Sequence, residues 1–134
     1  MLVKEATLKW LQKYLPLIKP DGPKDSSGCL ALSAESSLGF QNGVYFFDLF
    51  QKLAQESGNK TVTQHLSKIK IIKSQARIAI VSNLTSLAPV FRCYNVGFDE
   101  KKRDRIANSG FPSKTLYFFY DLFPILFFRG RRRC

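Results

Sequence analysis

Histidine occurs once in this 134-residue chain, at His65, with no cysteine or acidic residue at metal-ligand spacing from it. A zinc centre therefore has no support in the sequence, and His65 reads as an exposed or core-satisfied imidazole. Cysteine is nearly as scarce. Cys29, Cys93 and Cys134 are odd in number and widely spaced, which excludes a disulfide framework and fits a reducing compartment. Cys93 and His65 could make a nucleophile pair only by an accident of folding, and no Gly-rich phosphate loop is present. An enzyme is not expected, nor a metal, a cofactor or a small-molecule substrate. No apolar h-region follows Met1, so no secretory signal is expected. The sequons Asn59-Lys60-Thr61 and Asn83-Leu84-Thr85 then carry no meaning. The most apolar run, residues 115–128, is about 14 residues long against the roughly 20 that span a bilayer. It also holds Asp121 and Pro124, which leaves an interfacial helix and excludes a span.

Acidic residues are the other shortage: 10 Asp and Glu face 21 Lys and Arg, a formal net charge of +11 with a pI near 9.8. Such a balance favours polyanionic partners, whether nucleic acid, anionic lipid or acidic protein tails, without choosing among them. Arg129, Arg131, Arg132 and Arg133 crowd the last six residues, so the remainder is less basic than the total suggests. Hydrophobic residues make up 45% of the chain, enough for one domain with a real core.

Residues 76–98 organise the rest. At a 3.6-residue period Ile80, Leu84, Leu87 and Phe91 share one face, and Ser82, Thr85, Ser86 and Pro89 share the opposite one. Pro89 crowds the carbonyl of Thr85, but on the polar side, where water can take up that carbonyl and a kink is tolerated. Asn95-Val96-Gly97 supplies the stop, with Gly97 as the left-handed residue. This is a central helix, with Trp10, Leu84, Leu87 and Phe91 expected in one core.

Residues 3–15 form an amphipathic helix with Leu8, Leu11 and Leu15 inward, Trp10 and Tyr14 flanking, and Lys4, Lys9 and Lys13 toward water. Pro16 and Pro20 end it. Residues 19–39, rich in Gly, Pro and Ser with only Leu30, Leu32 and Leu38 to bury, read as a long exposed loop, dispensable for folding. Gln41-Asn42-Gly43 turns the chain into a buried helix over 44–55, with Val44, Phe47, Leu49, Phe50 and Leu53 on its crowded side, and Gly58-Asn59-Lys60 ends it. Residues 61–75 alternate basic and aliphatic side chains, consistent with an edge strand, a short helix or an extended linker. A short polar helix follows over 99–108 with Asp99 as its N-cap, stopped by Ser109-Gly110. Ser113 caps a last aromatic helix over 113–128. The fold class is all-α, a compact bundle of about four main helices with short connecting ones, with residues 1–128 as one domain and 129–134 as a basic tail.

Four motifs in this order resemble those of the calponin-homology domain, in the divergent form found at the amino termini of sperm-flagellar proteins. They are Trp10-Leu11-x-Lys13-x-Leu15, Phe40-x-x-Gly43, Asn83-Leu84-Thr85-x-Leu87-x-Pro89 and Val96-Gly97-Phe98-Asp99. A looser match is Ser113-Lys114-Thr115-Leu116-Tyr117-x-x-Tyr120. The 19–39 segment is longer than that pattern has between its first two helices, and the Arg-rich end lies outside it. The resemblance implies a non-enzymatic, cytoplasmic domain that docks onto axonemal microtubules of a cilium or flagellum, or onto neighbouring axonemal proteins. Some relatives bind actin, usually as tandem pairs, and a single copy argues against that role.

Candidate partner-facing residues are Lys70, Lys73 and Arg77, which share a face if 68–77 is helical, and Lys4, Lys9 and Lys13 along the first helix. The tail arginines, Arg129, Arg131, Arg132 and Arg133, form a third cluster. Each competes with the ordinary reading of a charge run as a solvated face. Tyr117, Phe118, Phe119, Tyr120 and Phe123 read as core or a docking surface rather than a platform for bases. The rival classes are a protein on the membrane surface and a nucleic-acid binder; the second rests on charge alone, without a motif.

Overall fold

The computed structural model describes residues 2–108, and 62% of them are helical. The expected last helix over 113–128, its aromatic residues, the Ser109-Gly110 stop and the arginine tail lie outside the described residues. Among the described residues the order is β1 (Leu2–Lys4), α1 (Glu5–Tyr14), β2 (Cys29–Ala31), α2 (Ala34–Gln41), α3 (Val44–Ser57), α4 (Lys60–Ser67), α5 (Arg77–Cys93) and α6 (Glu100–Asn108). The all-α expectation holds, with one small addition: β1 and β2 pair antiparallel, Val3 opposite Leu30 and Lys4 opposite Cys29.

That pairing corrects two expectations. The first helix starts at Glu5 rather than residue 3, because Val3 and Lys4 find ladder partners in β2 and Val3 is buried there. The 19–39 segment is exposed without interruption only over its first part, residues 19–27. Leu30 and Leu32 enter the core, and Ser33 Oγ caps α2 by accepting from Ser36 N at 3.2 Å. Ser36, Ser37 and Gly39 are buried too. Small side chains let α2 lie close to its neighbours: a Cβ on Gly39 would come within 2.1 Å of the Tyr45 ring. A segment that supplies a strand, a helix and core side chains is not an exposed loop, and its replacement by a short linker is expected to destabilise the fold.

α1 buries Leu8, Trp10, Leu11 and Tyr14, with the Trp10 and Tyr14 rings edge to face at 5.7 Å. Tyr14 ties it to α3 by donating from its hydroxyl to Glu56 Oε1 at 2.8 Å. Lys52 of α3 donates to the Tyr14 carbonyl, placing a cation at the negative end of the α1 dipole. Gly43 begins α3 in the left-handed region, φ 84°, and its N–H donates to Phe40 O at 3.1 Å. Here a side chain is excluded twice, since a Cβ would also sit 3.0 Å from Leu87 Cδ1.

α3 buries Leu49, Phe50 and Leu53 as expected, and also Phe46 and Ala54, while Val44 and Phe47 are only half-buried. Its inner face is therefore rotated toward Phe46. The centre of the core is aromatic. Phe91 of α5 lies 5.2 Å from Phe46, 5.3 Å from Phe50 and 4.8 Å from Phe98, the last stacked. Ile80, Leu84, Leu87 and Phe91 are all buried with Trp10 in the one core, as the helical period requires.

α5 ends one step differently from the expected stop. Asn95, not Gly97, takes the left-handed conformation, φ 59°, and Val96 N donates back to Phe91 O at 3.0 Å. Asparagine tolerates that region better than other non-glycine residues. The polar side of α5 borders a cleft. Thr85, Pro89 and Arg92 line it on one side and Phe98, Asp99, Glu100 and Arg103 on the other, around a volume of about 250 Å³. Arg103 Nη1 reaches Thr85 Oγ1 at 3.2 Å.

Asp99 caps α6 as expected, with Lys102 N donating to its Oδ1 at 2.9 Å. That backbone bond, more than the nearby lysines, holds the Asp99 carboxyl below the usual carboxylate range. A depressed pKa means stability that is complete above the ordinary carboxylate pKa and lost as pH falls through the lowered one. Asp99→Ala is expected to speed amide exchange in α6 at neutral pH, and acidification should erase the difference between variant and parent. Equal exchange at neutral pH would show that the cap contributes nothing.

Candidate docking surface

The surface is organised by Asn83, the buried polar residue on the inner side of α5. Its Oδ1 accepts from Ile72 N at 2.9 Å, and its Nδ2 donates to Ile72 O and to Asn42 O, both at 2.8 Å. One amide thus satisfies both backbone groups of Ile72, as a neighbouring strand would, and holds the α2–α3 turn as well. Asn42 Oδ1 accepts from Val44 N at 3.1 Å. Gln41 Nε2 completes the joint by donating to Ile106 O of α6 at 2.9 Å.

Fixed in this way, 68–76 is not helical. The conditional face of Lys70, Lys73 and Arg77 at i, i+3 and i+7 therefore does not exist, because the backbone between α4 and α5 is held extended by Asn83. The segment alternates instead. Ile69 and Ile71 are half-buried and pack on the core, whereas Lys70 and Ile72 are exposed, the period-two pattern of extended chain. Lys68, Lys73 and Arg77 are exposed as well. Arg77 has a second attachment, donating from Nε to Asn108 Oδ1 at 2.6 Å across to α6.

Charge separates the two candidate clusters that can be placed. On α1, Lys9 lies 3.8 Å from Glu5 and Lys13 3.7 Å from Glu56. Lys24 lies 2.9 Å from Glu5, and its hydrogen bond and charge, followed by Lys9, hold the Glu5 carboxyl below its ordinary range. Lys4 is exposed on β1, not on the helix with the other two. The lysines of the first helix are thus largely spent on neighbouring carboxylates. The ion pairs among the described residues use Lys9, Lys13, Lys24 and Arg103 and leave out Lys60, Lys68, Lys70 and Lys73. The cause is compositional: no Asp or Glu occurs between Glu56 and Asp99. That acid-free run is visible in the sequence, and it is the signal that periodicity analysis passed over.

Two apolar side chains accompany these cations. Ile72 is 46% exposed and Ile78, in the first turn of α5, is 81% exposed. Beside them a groove of about 320 Å³ runs between Lys73, Ser74 and Gln75 on one wall and Glu35, Gly39 and Tyr45 on the other. Burial, then Glu35 and Asp48, push the Tyr45 hydroxyl above its ordinary pKa.

The residues weighed for chemistry stay apart from this surface. His65 is half-buried in the last turn of α4. Cys93 is exposed, and burial of part of its side chain pushes the thiol up rather than toward thiolate. Asn83 is too buried to serve as a glycan acceptor in the folded chain. Among the described residues no three His, Cys, Asp or Glu side chains gather as a metal site would need, and no helix is long and apolar enough to cross a membrane. Comparison with family models, curated proteins and solved structures finds no match.

Proposed function

We propose that this chain is a non-enzymatic docking domain of the calponin-homology type that binds an acidic cytoskeletal partner, with the carboxyl tails of tubulin in axonemal microtubules as the favoured one. The observation that carries the reading is the exposed basic run over 60–77, which contains no acidic residue and whose lysines enter no ion pair among the described residues. Uncompensated cations raise the potential seen by an approaching polyanion, and their effect is on encounter and on salt dependence. The placement of the motif residues supports the family resemblance. Trp10 and Leu11 are buried on α1, the stretch from Phe40 to Gly43 ends α2 and turns into α3, and Asn83 and Leu87 face inward from α5. Phe98 is buried immediately before the Asp99 cap.

Co-pelleting with microtubules across a salt series tests the proposal. The chain should pellet at low salt and be released progressively as salt rises, with F-actin as the parallel measurement. Lys70→Glu combined with Lys73→Glu should abolish pelleting while moving the thermal midpoint by only a few degrees, because solvated charges contribute little to folding. No pelleting at any salt, or stronger pelleting with F-actin, would overturn the tubulin reading.

A further inference from the structure

Of the three large apolar side chains exposed among the described residues, Leu17, Ile72 and Ile78, one stands within the basic stretch and one directly after it. A solvated charge run does not need them. Lys70 and Ile72 emerge on the same side of an extended backbone, and Asn83 fixes Ile72 from behind through both its N–H and its carbonyl. A segment already held in shape loses little freedom on binding. The groove of about 320 Å³ opens directly beside it, sharing Lys73 and Ser74. Concavity next to a row of cations suits a chain with side chains to insert, and is of no use against a flat lipid surface.

We propose that the strip formed by Lys70, Ile72, Lys73 and Ile78 docks an extended acidic segment of a protein partner, one that carries an apolar side chain among its carboxylates. Carboxylates meet Lys70 and Lys73, the apolar side chain covers Ile72, and only an uncharged part of the segment continues over the groove, whose far wall carries Glu35 beside Tyr45. The charges supply orientation and encounter, and the isoleucines supply a part of the affinity that salt does not screen. This deepens the proposed function and rests on it for the choice of an acidic partner.

The test is fluorescence anisotropy with two labelled synthetic peptides, one of Glu and Gly with a single central Leu, the other with Ser in place of that Leu. The parent should bind the Leu peptide more tightly, and the preference should persist as salt rises. Lys70→Glu with Lys73→Glu should weaken binding by about tenfold or more. Ile72→Ser with Ile78→Ser should remove the preference for Leu while leaving the Ser peptide unaffected. Lys9→Glu with Lys13→Glu, on α1, should change affinity by less than about twofold. Far-ultraviolet circular dichroism confirms that each variant is folded. The strip is wrong if the isoleucine variant keeps the preference, or if the α1 variant loses as much affinity as the strip variant. It is also wrong if phosphatidylserine vesicles bind through the same residues and the peptides do not. Microtubule pelleting that survives loss of the strip refutes this inference alone; peptide binding by a chain that never pellets refutes only the tubulin reading.

Discussion

Phe91→Ala is expected to lower unfolding free energy by about 3–5 kcal/mol, the largest single loss for any substitution in α5. Phe91 has no exposed surface and meets Phe46, Phe50 and Phe98 at once. Its removal deletes the transfer free energy of the ring, three ring–ring contacts and the filling of a space that three large neighbours cannot close. Aromatic pairs add about 0.5–1.5 kcal/mol each beyond burial, so the upper half of the range is the more reasonable expectation. Against a total of about 5–15 kcal/mol for an ordinary domain, the variant should unfold at much lower denaturant with an unchanged slope. Leu87→Ala, at an equally buried position with no ring partner, should fall lower in the range of about 2–5 kcal/mol. A loss under about 1 kcal/mol at Phe91 would mean that the inner face of α5 is misassigned.

Asn83→Ala is expected to cost about 2–4 kcal/mol by a different route. Very little apolar area is lost. The variant instead strands Ile72 N and Asn42 O, while Ile72 O loses one of two donors and keeps Ser74 N at 3.0 Å. The Asn42 bond is fully buried and the two to Ile72 are partly so, which lets water recover some of the latter. Asn83→Asp separates the terms, because a carboxylate can still accept from Ile72 N but presents oxygen to two carbonyls. It should be at least as damaging as alanine at neutral pH and milder when protonated. Urea titration gives the free energies. Amide exchange at Ile72 shows whether the 68–76 segment comes loose, which predicts weaker docking as well. Unchanged stability and unchanged exchange at Ile72 would remove Asn83 from its place as organiser.

How much of this was legible in the sequence depends on what carried each element. α5 and α3 were readable because large apolar side chains recur at the helical period and Gly58 ends α3, and α6, which is polar, because Asp99 caps it. α2 was not. Its buried residues include Ser36, Ser37 and Gly39, which advertise a loop, and they lie inside only because close approach of backbones favours small side chains. β1 was hidden for another reason: three residues of strand carry almost no period of their own and exist through a partner about 27 positions away in the chain. The docking surface was half legible. Lys70 and Lys73 were named, sharing a face with Arg77 only if 68–77 were helical, and the two bonds between Asn83 and Ile72 hold that stretch extended, one of the alternatives the sequence left open. Ile72 and Ile78 escaped notice because exposure of an aliphatic residue is a tertiary fact.

The turn at Asn42-Gly43 also sets how this protein ages. Asparagine before glycine is the dipeptide most prone to lose its amide, through attack of the glycine nitrogen on the asparagine side chain. In the folded chain that nitrogen is engaged with Phe40 O, the Asn42 side chain is engaged with Val44 N, and both residues are buried. The reaction is therefore confined to molecules that have opened. Each opening exposes the chain to a covalent change that leaves a carboxylate or a lengthened backbone where α2, α3 and α5 meet, and such a molecule cannot close as before. Slow acquisition of negative charge in storage would thus count past unfolding events, and would run faster in any variant that weakens the core.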